Sequence, residues 1–458
     1  MYTIDDQLEQ QIAHLQQRMH GEILFPGSNG YDQARRIWNG RIDRHPAVIM
    51  RCRCAADVAL ALATAQTYHL PISVCGGGHQ TAGLAVAEAG MLIDLRPMTT
   101  LTIDPRAHTA RAGAGLMIGG LVEGLGASGL ATTTGTCAGT GIAGSTLGGG
   151  IGWLAGRYGL GIDNLLAAEI VTPDGMIRQV HACEQSDLFW AIRGGGGNFG
   201  IVTTFEYRVH PLNDVVGGML VYRLADAAAV LTTVQQCWQQ EHDAFGMLVV
   251  LATFPTIGPV VMIQGCSSDS DQRTNQLLHP LRQAAPVVLD TFQRMPYAQF
   301  FAAHSPPVPD GLHYYDTAVP FDAFTPTVIE QIVRAAERFS SPMSSIVIHR
   351  LHGAATRVDP QATAFALREP HAIAVFAAGW EPGSADAHLN WANSAAAALQ
   401  PAARLGLYTN FMGQGSPEAI RAAYRQNYQR LSQIKASYDP ANLLRRNQNI
   451  QPAQPYGL

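Results

Sequence analysis

The chain has 458 residues, 47% of them hydrophobic and 14% charged, so it is long enough for two or more domains and can bury large cores. A formal net charge of −5 argues against nucleic acid or an anionic membrane surface as the main partner. The seven cysteines have no regular spacing and therefore predict neither a disulfide framework nor a metal site.

The first part of the chain predicts an α/β unit that continues into hairpins. Residues 1–19 are polar with a helical period and lack the pattern of a signal peptide, so we expect a cytoplasmic protein. The predicted strands cover 47–54, 72–74, 91–95, a pair within 101–112, and a hairpin at 164–172 and 176–180. The predicted helices cover 55–69, 117–125 and 187–192.

Beyond Pro211 glycines become rarer, and amphipathic helices alternate with strands. This alternation predicts a second, α+β domain in which helices cover a sheet. The most apolar stretch, 246–263, contains Pro255 and Pro259 and therefore predicts two core strands instead of a membrane span. The predicted helices here cover 226–240, 271–283, 325–339 and 417–438, and further strands cover 345–353 and 372–379.

A glycine-rich loop follows the strand at 72–74. Gly76, Gly77 and Gly78 have no Cβ, so their backbone can approach an anionic group and donate N–H hydrogen bonds to it. His79 comes directly after them and can reach the rest of whatever the loop holds. A glycine turn followed by a surface histidine is the structural alternative. The loop predicts a ligand site because further segments of the same kind accompany it.

The segment 134–152 consists mostly of small residues and fits neither an ordinary helix nor an ordinary strand. Such a composition favours chain that lies against a large flat ligand. Its glycines at 139, 141 and 144 match G-x-G-x-x-G, the fingerprint of nicotinamide-binding folds. However, 127–136 is not an apolar strand and no first βαβ unit begins here, which argues against that fold. A second glycine cluster follows at 193–200.

Together these segments resemble the FAD-linked oxidases of the vanillyl-alcohol-oxidase type, most closely the berberine-bridge-enzyme-like branch. The resemblance covers nearly the whole chain and rests on the loop 76–79, the run 144–152 with 158–164, the cluster 193–200, and the segments 438–440 and 447–449. It implies a PCMH-type FAD-binding domain formed by both chain ends, residues 1–212 and 405–458. The α+β substrate domain, residues 213–404, would be inserted between them with an antiparallel sheet covered by helices.

The resemblance also implies how FAD is held. In this family the histidine of the glycine loop is bonded to the flavin 8α-methyl carbon, which maps to His79. Some members add a cysteinyl bond to flavin C6, and Cys137, four residues before Gly141, falls on that position. The resemblance thus implies a bicovalently bound FAD. Its further contacts would be Cys75, Gly76, Gly77, Gly78, Gln80, Gly83, Gly135, Thr136, Thr140, Gly141, Gly144, Gly150, Val202, Tyr408, Asn410, Asn447, Gln448 and Asn449.

Thr140 bears on the electron acceptor. Relatives that react well with oxygen carry valine at this position, and dehydrogenase-like relatives carry leucine. Threonine is about the size of valine, so the resemblance favours oxygen.

The proton acceptor is where this chain departs from the family. Several relatives use a tyrosine at the position of Phe411, and some use a second tyrosine at the position of Ile151. Neither side chain can take a proton. Deprotonation that accompanies hydride transfer must therefore use another residue, or a substrate that loses its proton readily.

The predicted strand 345–353 offers candidates for that role. By the period of two, His352 shares one face with Arg350, and His349 points to the other. A neutral histidine is a competent base near pH 7, so we predict His352 as the catalytic base, with a structural histidine as the alternative. Tyr315, with its neighbour Tyr314 beside a Pro-rich loop, is the second candidate.

The sequence thus predicts an FAD-dependent oxidase that removes a hydride from a C–H bond of a small organic substrate and produces hydrogen peroxide, in a tailoring step of secondary metabolism. A carbohydrate or other alcohol oxidase is the alternative, disfavoured because both tyrosines are missing. Further alternatives are a flavin dehydrogenase with another acceptor, a nicotinamide-dependent reductase and a non-enzymatic flavin-binding scaffold. We expect a monomer or homodimer without a metal, nucleic-acid or membrane partner.

Overall fold

The computed structural model describes residues 6–240, 242–305 and 308–454, in which helices pack on parallel and antiparallel strands. The predicted α+β class is confirmed. Among the helices of these residues, none combines the length and the hydropathy needed to cross a lipid bilayer.

The N-terminal part of the chain contains short elements whose bounds lie close to those predicted. Its strands are β1 (Glu22–Leu24), β2 (Val48–Arg51), β3 (Ile72–Cys75), β4 (Met91–Asp94), β5 (Leu101–Asp104), β6 (Thr109–Gly113), β7 (Leu130–Ala131), β8 (Leu165–Val171), β9 (Ile177–His181), β10 (Ile201–Arg208) and β11 (His210–Pro211). Its helices are α1 (Asp6–Ala13), α2 (Tyr31–Arg35), α3 (Ala55–Thr67), α4 (Ile118–Gly126), α5 (Ile142–Gly148), α6 (Ala155–Tyr158) and α7 (Ser186–Ile192).

Within the described residues these strands form a sheet in the order β1-β2-β4-β3 and an antiparallel sheet in the order β5-β6-β10-β8-β9. In the first sheet β2, β4 and β3 run parallel, because α3 carries the chain back between β2 and β3. The glycine loop at 76–78 leaves β3 at its carboxyl end, the end of parallel strands at which α/β units bind ligands.

The middle of the chain builds the largest sheet. Its strands are β12 (Asp214–Arg223), β13 (Phe245–Phe254), β14 (Gly258–Ser267), β15 (Leu289–Asp290), β16 (Gln293–Pro296), β17 (His313–Phe321), β18 (Ser345–Leu351) and β19 (His371–Trp380). In the described part of the chain they pair antiparallel in the order β15-β12-β14-β13-β18-β19-β17, and β16 also pairs with β12. The helices here are α8 (Ala227–Trp238), α9 (Asp271–Ala284), α10 (Tyr297–His304), α11 (Pro326–Ala336), α12 (Ala354–Arg357) and α13 (Asp386–Leu399).

The two faces of this sheet have different partners, as the period of two along each strand requires. On β13, Val249 and Leu251 are buried against the helices in one hydrophobic core, whereas Leu248 and Val250 face an internal cavity. The sheet is therefore covered by helices on one face and lines a cavity with the other.

The C-terminal helices α14 (Pro417–Tyr424) and α15 (Tyr428–Tyr438) correct one prediction, because the sequence predicted a single helix over 417–438. The chain breaks between them at Arg425, whose φ of 47° is left-handed and cannot continue an α-helix. On α15, Lys435 is fully buried and its Nζ donates to Asp439 Oδ2 (2.6 Å) and to the backbone O of Asn198 (2.7 Å). This contact joins the C-terminal segment to the second glycine cluster.

Other elements also differ from the sequence prediction. The small-residue stretch at 142–148 forms α5, because the burial of Ile142 and Leu147 in the main core compensates for its poor helix propensity. Strands β12 and β17 and helix α13 were not predicted. The boundaries at residues 212 and 404 stay predictions, although the main sheet begins at Asp214.

Candidate active site

A cavity of about 950 Å³ lies between the N-terminal glycine loops and the open face of the main sheet. One wall consists of the loop after β3, the segment before α5 and the C-terminal segment, and the other consists of strands β12, β13, β14, β17, β18 and β19. Its volume lies at the upper end of the range for ligand sites, about 300–1,000 Å³.

The two glycine loops cross backbone to backbone at the cavity wall. A Cβ added to Gly77 would lie 2.4 Å from the backbone N of Gly141, and one added to Gly141 would lie 2.6 Å from the backbone N of Gly77. A larger residue at either position would force the loops apart. The absence of side chains therefore serves the crossing as well as the close approach of a ligand.

The predicted tether residues are brought together by this crossing. His79 Nε2 and Cys137 Sγ lie 3.8 Å apart, and both residues line the cavity. Burial lowers the pKa of His79, so its imidazole is neutral at pH 7 and one nitrogen keeps its lone pair. A neutral imidazole and a thiol at this separation can reach neighbouring positions of one ring system.

An aromatic stack that the sequence analysis missed holds His79 in place. The ring of Trp38 stacks on His79 with centroids 4.2 Å apart and on Tyr314 with centroids 4.1 Å apart. Asn39 Nδ2 donates to the backbone O of Thr81 (2.8 Å) and of Tyr314 (2.9 Å). The sequence feature that could have indicated this contact is the alternation of side chains along β17. It places every second residue, Tyr314 among them, on the cavity face.

Tyr408 and Asn410 join the C-terminal segment to the glycine run. Tyr408 Oη accepts hydrogen bonds from the backbone N of Gly150 (3.1 Å) and from Asn410 Nδ2 (2.8 Å), which also donates to the backbone O of Gly144 (3.0 Å). Burial raises the pKa of Tyr408 to about 12, so its hydroxyl stays protonated. Tyr408 therefore orients the cavity wall and does not accept protons.

Buried polar atoms without partners mark another part of the cavity. Arg446 Nε and Asn447 Oδ1 are buried without a hydrogen-bond partner, and both residues line the cavity. Asn449 Oδ1 is buried in the same way, although Asn449 is not part of the lining that the structure describes. Gln448 also lines the cavity but is engaged, since its Nε2 donates to the backbone O of Met412 (3.0 Å). Unpartnered buried atoms are rare, so a polar ligand is expected to meet Arg446 and Asn447.

The histidine that strand β18 presents to the cavity is His349. Its ring lies 4.8 Å from that of Phe411, centroid to centroid, and its Nδ1 is buried without a hydrogen-bond partner. Burial lowers the pKa of His349 to about 4, so the side chain is neutral at pH 7. Phe411 and Ile151 also line the cavity, so the two positions at which relatives carry a tyrosine hold inert side chains here.

His352 lies elsewhere, in a small void beside Trp238 and His242, and burial lowers its pKa to about 4. Tyr315 packs at the helix-covered face, and its Oη donates to Asn393 Oδ1 (2.8 Å). His349 and His352 lie on opposite faces of the strand, as predicted, but the face that lines the cavity is the one that carries His349. The geometry therefore does not support His352 or Tyr315 as proton acceptors for a ligand in the cavity.

The other predicted cofactor residues divide into two groups. Cys75 is fully buried at the end of β3, and Gly83 forms a turn with φ of 66° against Ile42, so both support the loop from behind. Gly150 contributes through Tyr408. Their direct contact with a cofactor, like that of Asn449, stays a prediction. The residues of the second group line the cavity directly; they are Gly76, Gly78, Gln80, Gly135, Thr136, Thr140 and Val202.

Two family comparisons match the segments that form the glycine-loop wall of the site. Residues 46–181, which include His79 and Cys137, match the FAD binding domain family. Residues 407–451, which include Tyr408 and Asn447, match the berberine and berberine-like family. The chain therefore contains an FAD-binding domain and a berberine-like domain, and its relatives include FAD-linked oxidoreductases. The nicotinamide-dependent and non-enzymatic alternatives are thereby set aside.

Individual relatives agree with this assignment over the whole chain. (R)-6-Hydroxynicotine oxidase of Paenarthrobacter nicotinovorans is 29% identical over 456 residues, which cover 95% of this chain and 97% of the relative. The crystal structure of 6-hydroxy-D-nicotine oxidase from Arthrobacter nicotinovorans matches with a TM-score of 0.87 and 28% identity, covering 95% of this chain and 98% of that one. A chitooligosaccharide oxidase matches with a TM-score of 0.86 at 21% identity, covering 97% and 100%, which shows the shared fold. The predicted PCMH-type FAD-binding fold is confirmed.

The residues of this chain fit FAD, the cofactor of the family. At the glycine crossing, backbone without side chains lines the cavity. Arg446 and Asn447 each have a buried atom that can form a hydrogen bond with a polar ligand atom. His79 and Cys137 lie close together at the wall. These are the features that a large cofactor with both polar and flat aromatic parts requires.

Proposed function

We propose that this enzyme is an oxidase whose FAD is bonded to both His79 and Cys137, and that it oxidises a C–H bond of a small organic substrate with oxygen as acceptor, as a tailoring step of secondary metabolism. The observation that carries the proposal is the 3.8 Å separation of His79 Nε2 and Cys137 Sγ at the cavity wall. Two bonds would fix the cofactor without a closed lid, which leaves the cavity accessible to bulky substrates.

When bound, FAD supplies the hydride acceptor, and the chain must supply a proton acceptor. We assign this role to His349, which lines the cavity beside Phe411 with an unpartnered, buried Nδ1. As the substrate loses hydride, its O–H or N–H proton passes to the neutral imidazole. Because burial holds the pKa of His349 at about 4, the base stays unprotonated over the whole neutral range.

Thr140 supports oxygen as the electron acceptor. It lines the cavity directly beside Gly141, at the crossing of the two loops. Its short side chain leaves more space at this point than leucine would. A molecule as small as oxygen would therefore have room to pass Thr140 toward a bound FAD.

The cavity wall favours an apolar metabolite over a sugar. Strands β12, β13, β14 and β18 present Met219, Leu248, Met262 and Val347 to the cavity. A sugar needs many hydrogen-bonding partners, and leaving its hydroxyls unpaired against such a wall would cost free energy. The likeness to chitooligosaccharide oxidase concerns the fold and does not alter this preference.

Anaerobic mixing followed by oxygen tests the proposal. A substrate found by screening apolar metabolites and matched oligosaccharides should bleach the flavin without oxygen. Admitting oxygen should restore the colour and release an equimolar amount of hydrogen peroxide. A flavin that recovers only with an artificial acceptor would contradict the oxidase assignment, and reduction by oligosaccharides alone would contradict the substrate class.

A further inference from the structure

Asp316 is a carboxylate that the mechanism above does not use. It lies on β17, two residues after Tyr314, and both residues line the cavity. The residue is partly buried and lines the cavity. Thr81 Oγ1 donates to Asp316 Oδ2 (2.6 Å), which fixes the carboxylate beside the His79 loop. A carboxylate can accept about four hydrogen bonds, so most of its capacity is left for a ligand.

No described residue provides a counter-ion for this carboxylate. Among the described residues that line the cavity, Asp316 is the only carboxylate and Arg446 is the only lysine or arginine. Arg446 is engaged elsewhere, where its Nη2 donates to the backbone O of Val86 (2.9 Å). Burial raises the pKa of Asp316 to about 6, and no charged neighbour offsets that effect. Removing a carboxylate from water without a cationic partner costs free energy, and a positively charged ligand would offset that cost.

We propose that the substrate carries a protonated amine and that Asp316 binds this ammonium group. The inference rests on the proposed function, since it names the substrate class of the same cavity. A protonated amine donates a charge-assisted hydrogen bond to a carboxylate, and its remaining N–H groups can meet nearby acceptors. The apolar strands of the wall would hold the uncharged remainder of the molecule.

The neighbours of Asp316 agree with this assignment. Trp38 and Tyr314 also line the cavity, and neither side chain brings a positive charge that would compete with a ligand for the carboxylate. His79, across the stack, is neutral at pH 7 because burial lowers its pKa, so it does not compete for the carboxylate as a cation. The next strand, β19, places Ala377 opposite Asp316, which adds no charge.

Two probes of nearly equal size test the inference without a known substrate. Benzylammonium and benzyl alcohol would be titrated anaerobically into the flavin-loaded protein, with binding read from the visible flavin absorbance. The parent should bind benzylammonium more tightly than benzyl alcohol, by about 10-fold or more. Asp316→Asn should abolish this discrimination while benzyl alcohol binds as before. Equal affinities in the parent, or discrimination that survives in Asp316→Asn, would overturn the proposal.

The matched control is Ser345→Ala. Ser345 on β18 and Asp316 on β17 both pair with Ala377 of β19, so they lie in the same row of the sheet. Ser345 also lines the cavity. Its removal takes away a polar group but no charge, so the preference for benzylammonium should persist. Flavin content and melting temperature, measured for each variant, separate loss of the ammonium site from loss of the fold.

A pH series on the parent protein needs no variant. As pH falls through about 6, Asp316 gains a proton and its attraction for a cation disappears. Affinity for benzylammonium, which stays charged throughout, should therefore rise between pH 5 and 7, while that for benzyl alcohol stays level. A flat benzylammonium profile would refute the ammonium site even if the protein proves to be a covalent oxidase. Conversely, pH-dependent binding of benzylammonium is compatible with a flavin that is not covalently bound. The ammonium site and the covalent oxidase can therefore be refuted independently.

Discussion

The two walls of the cavity differ in how their residues are specified. The loop wall is built from segments in which neighbours in sequence act together, as in Gly76 to His79, and its glycines are needed because two backbones cross. The sheet wall is built from single side chains on six strands, such as His349 on β18 and Asp316 on β17. A contiguous motif identifies the first kind of wall, whereas the second depends on which face each strand turns inward.

That difference has a chemical counterpart. The loop wall would bind the part of the site that all members of the family share, the cofactor. The sheet wall carries the groups that we propose act on the substrate: a neutral histidine, one carboxylate among its described residues, and apolar side chains. Changes to the loops should therefore alter how the flavin is held, and changes to the sheet should alter what is oxidised and how fast.

Removing both tethers should have the largest effect. In His79→Ala with Cys137→Ala, all flavin should leave the polypeptide on denaturation, because neither nucleophilic side chain remains. Each single variant should retain flavin through the other residue, and fluorescence of the band in a denaturing gel reports this. Loss of all bound flavin from Cys137→Ala alone would show that sulfur is the only attachment.

Changing the sheet wall at His349 should affect the chemical step. His349→Ala should slow anaerobic flavin reduction by about 10²–10⁴-fold, the usual contribution of a positioned base, with a smaller change in substrate binding. His352→Ala is the control, since that residue lies in a separate void and should leave the rate nearly unchanged. A large loss in His352→Ala with none in His349→Ala would reverse the assignment of faces.

The pH dependence of flavin reduction tests the same histidine. A base acts when unprotonated, and burial lowers the pKa of His349 to about 4, so its contribution is lost only as pH falls through that value. The reduction rate should therefore be level above about pH 5, once the separate effect of Asp316 on substrate affinity is removed by saturating substrate. An ascending limb at pH 6–7 under saturation would point to a different base.

A smaller effect is expected at Thr140, in the loop wall. Thr140→Leu should slow reoxidation of the reduced flavin by oxygen several-fold and leave reduction by substrate unchanged, because the added side-chain volume obstructs the small acceptor. Stopped-flow measurement of the two half-reactions separates them, and Thr140→Val, close to threonine in volume, is the matched control. Equal reoxidation in all three proteins would remove Thr140 from the account.

The smallest effect is expected at Tyr315. Its hydroxyl bonds to Asn393 away from the cavity, so Tyr315→Phe should leave flavin reduction unchanged and alter stability only slightly. A marked slowing would mean that the strand presents this side chain to the substrate during turnover.

Much of the loop wall could be predicted from sequence because the residues that act together there are consecutive in the chain. The sequence could not assign His352 correctly relative to the cavity, because a period of two fixes which residues share a face but not which face is covered by helices. Strand β17 was missed, and with it Asp316 and the contact of Tyr314 with Trp38. The role of Trp38 was equally hidden, since it depends on contact with His79 and with a strand far along the chain.

The measurement that tests the central claim most directly is the intact mass of the parent protein under denaturing conditions. Attachment through His79 and Cys137 predicts the mass of the chain increased by one FAD, with peptides containing each residue joined through the same flavin after digestion. A chain at its unmodified mass, with the yellow colour left in solution, would contradict covalent attachment altogether. An adduct on only one of the two peptides would contradict the second bond.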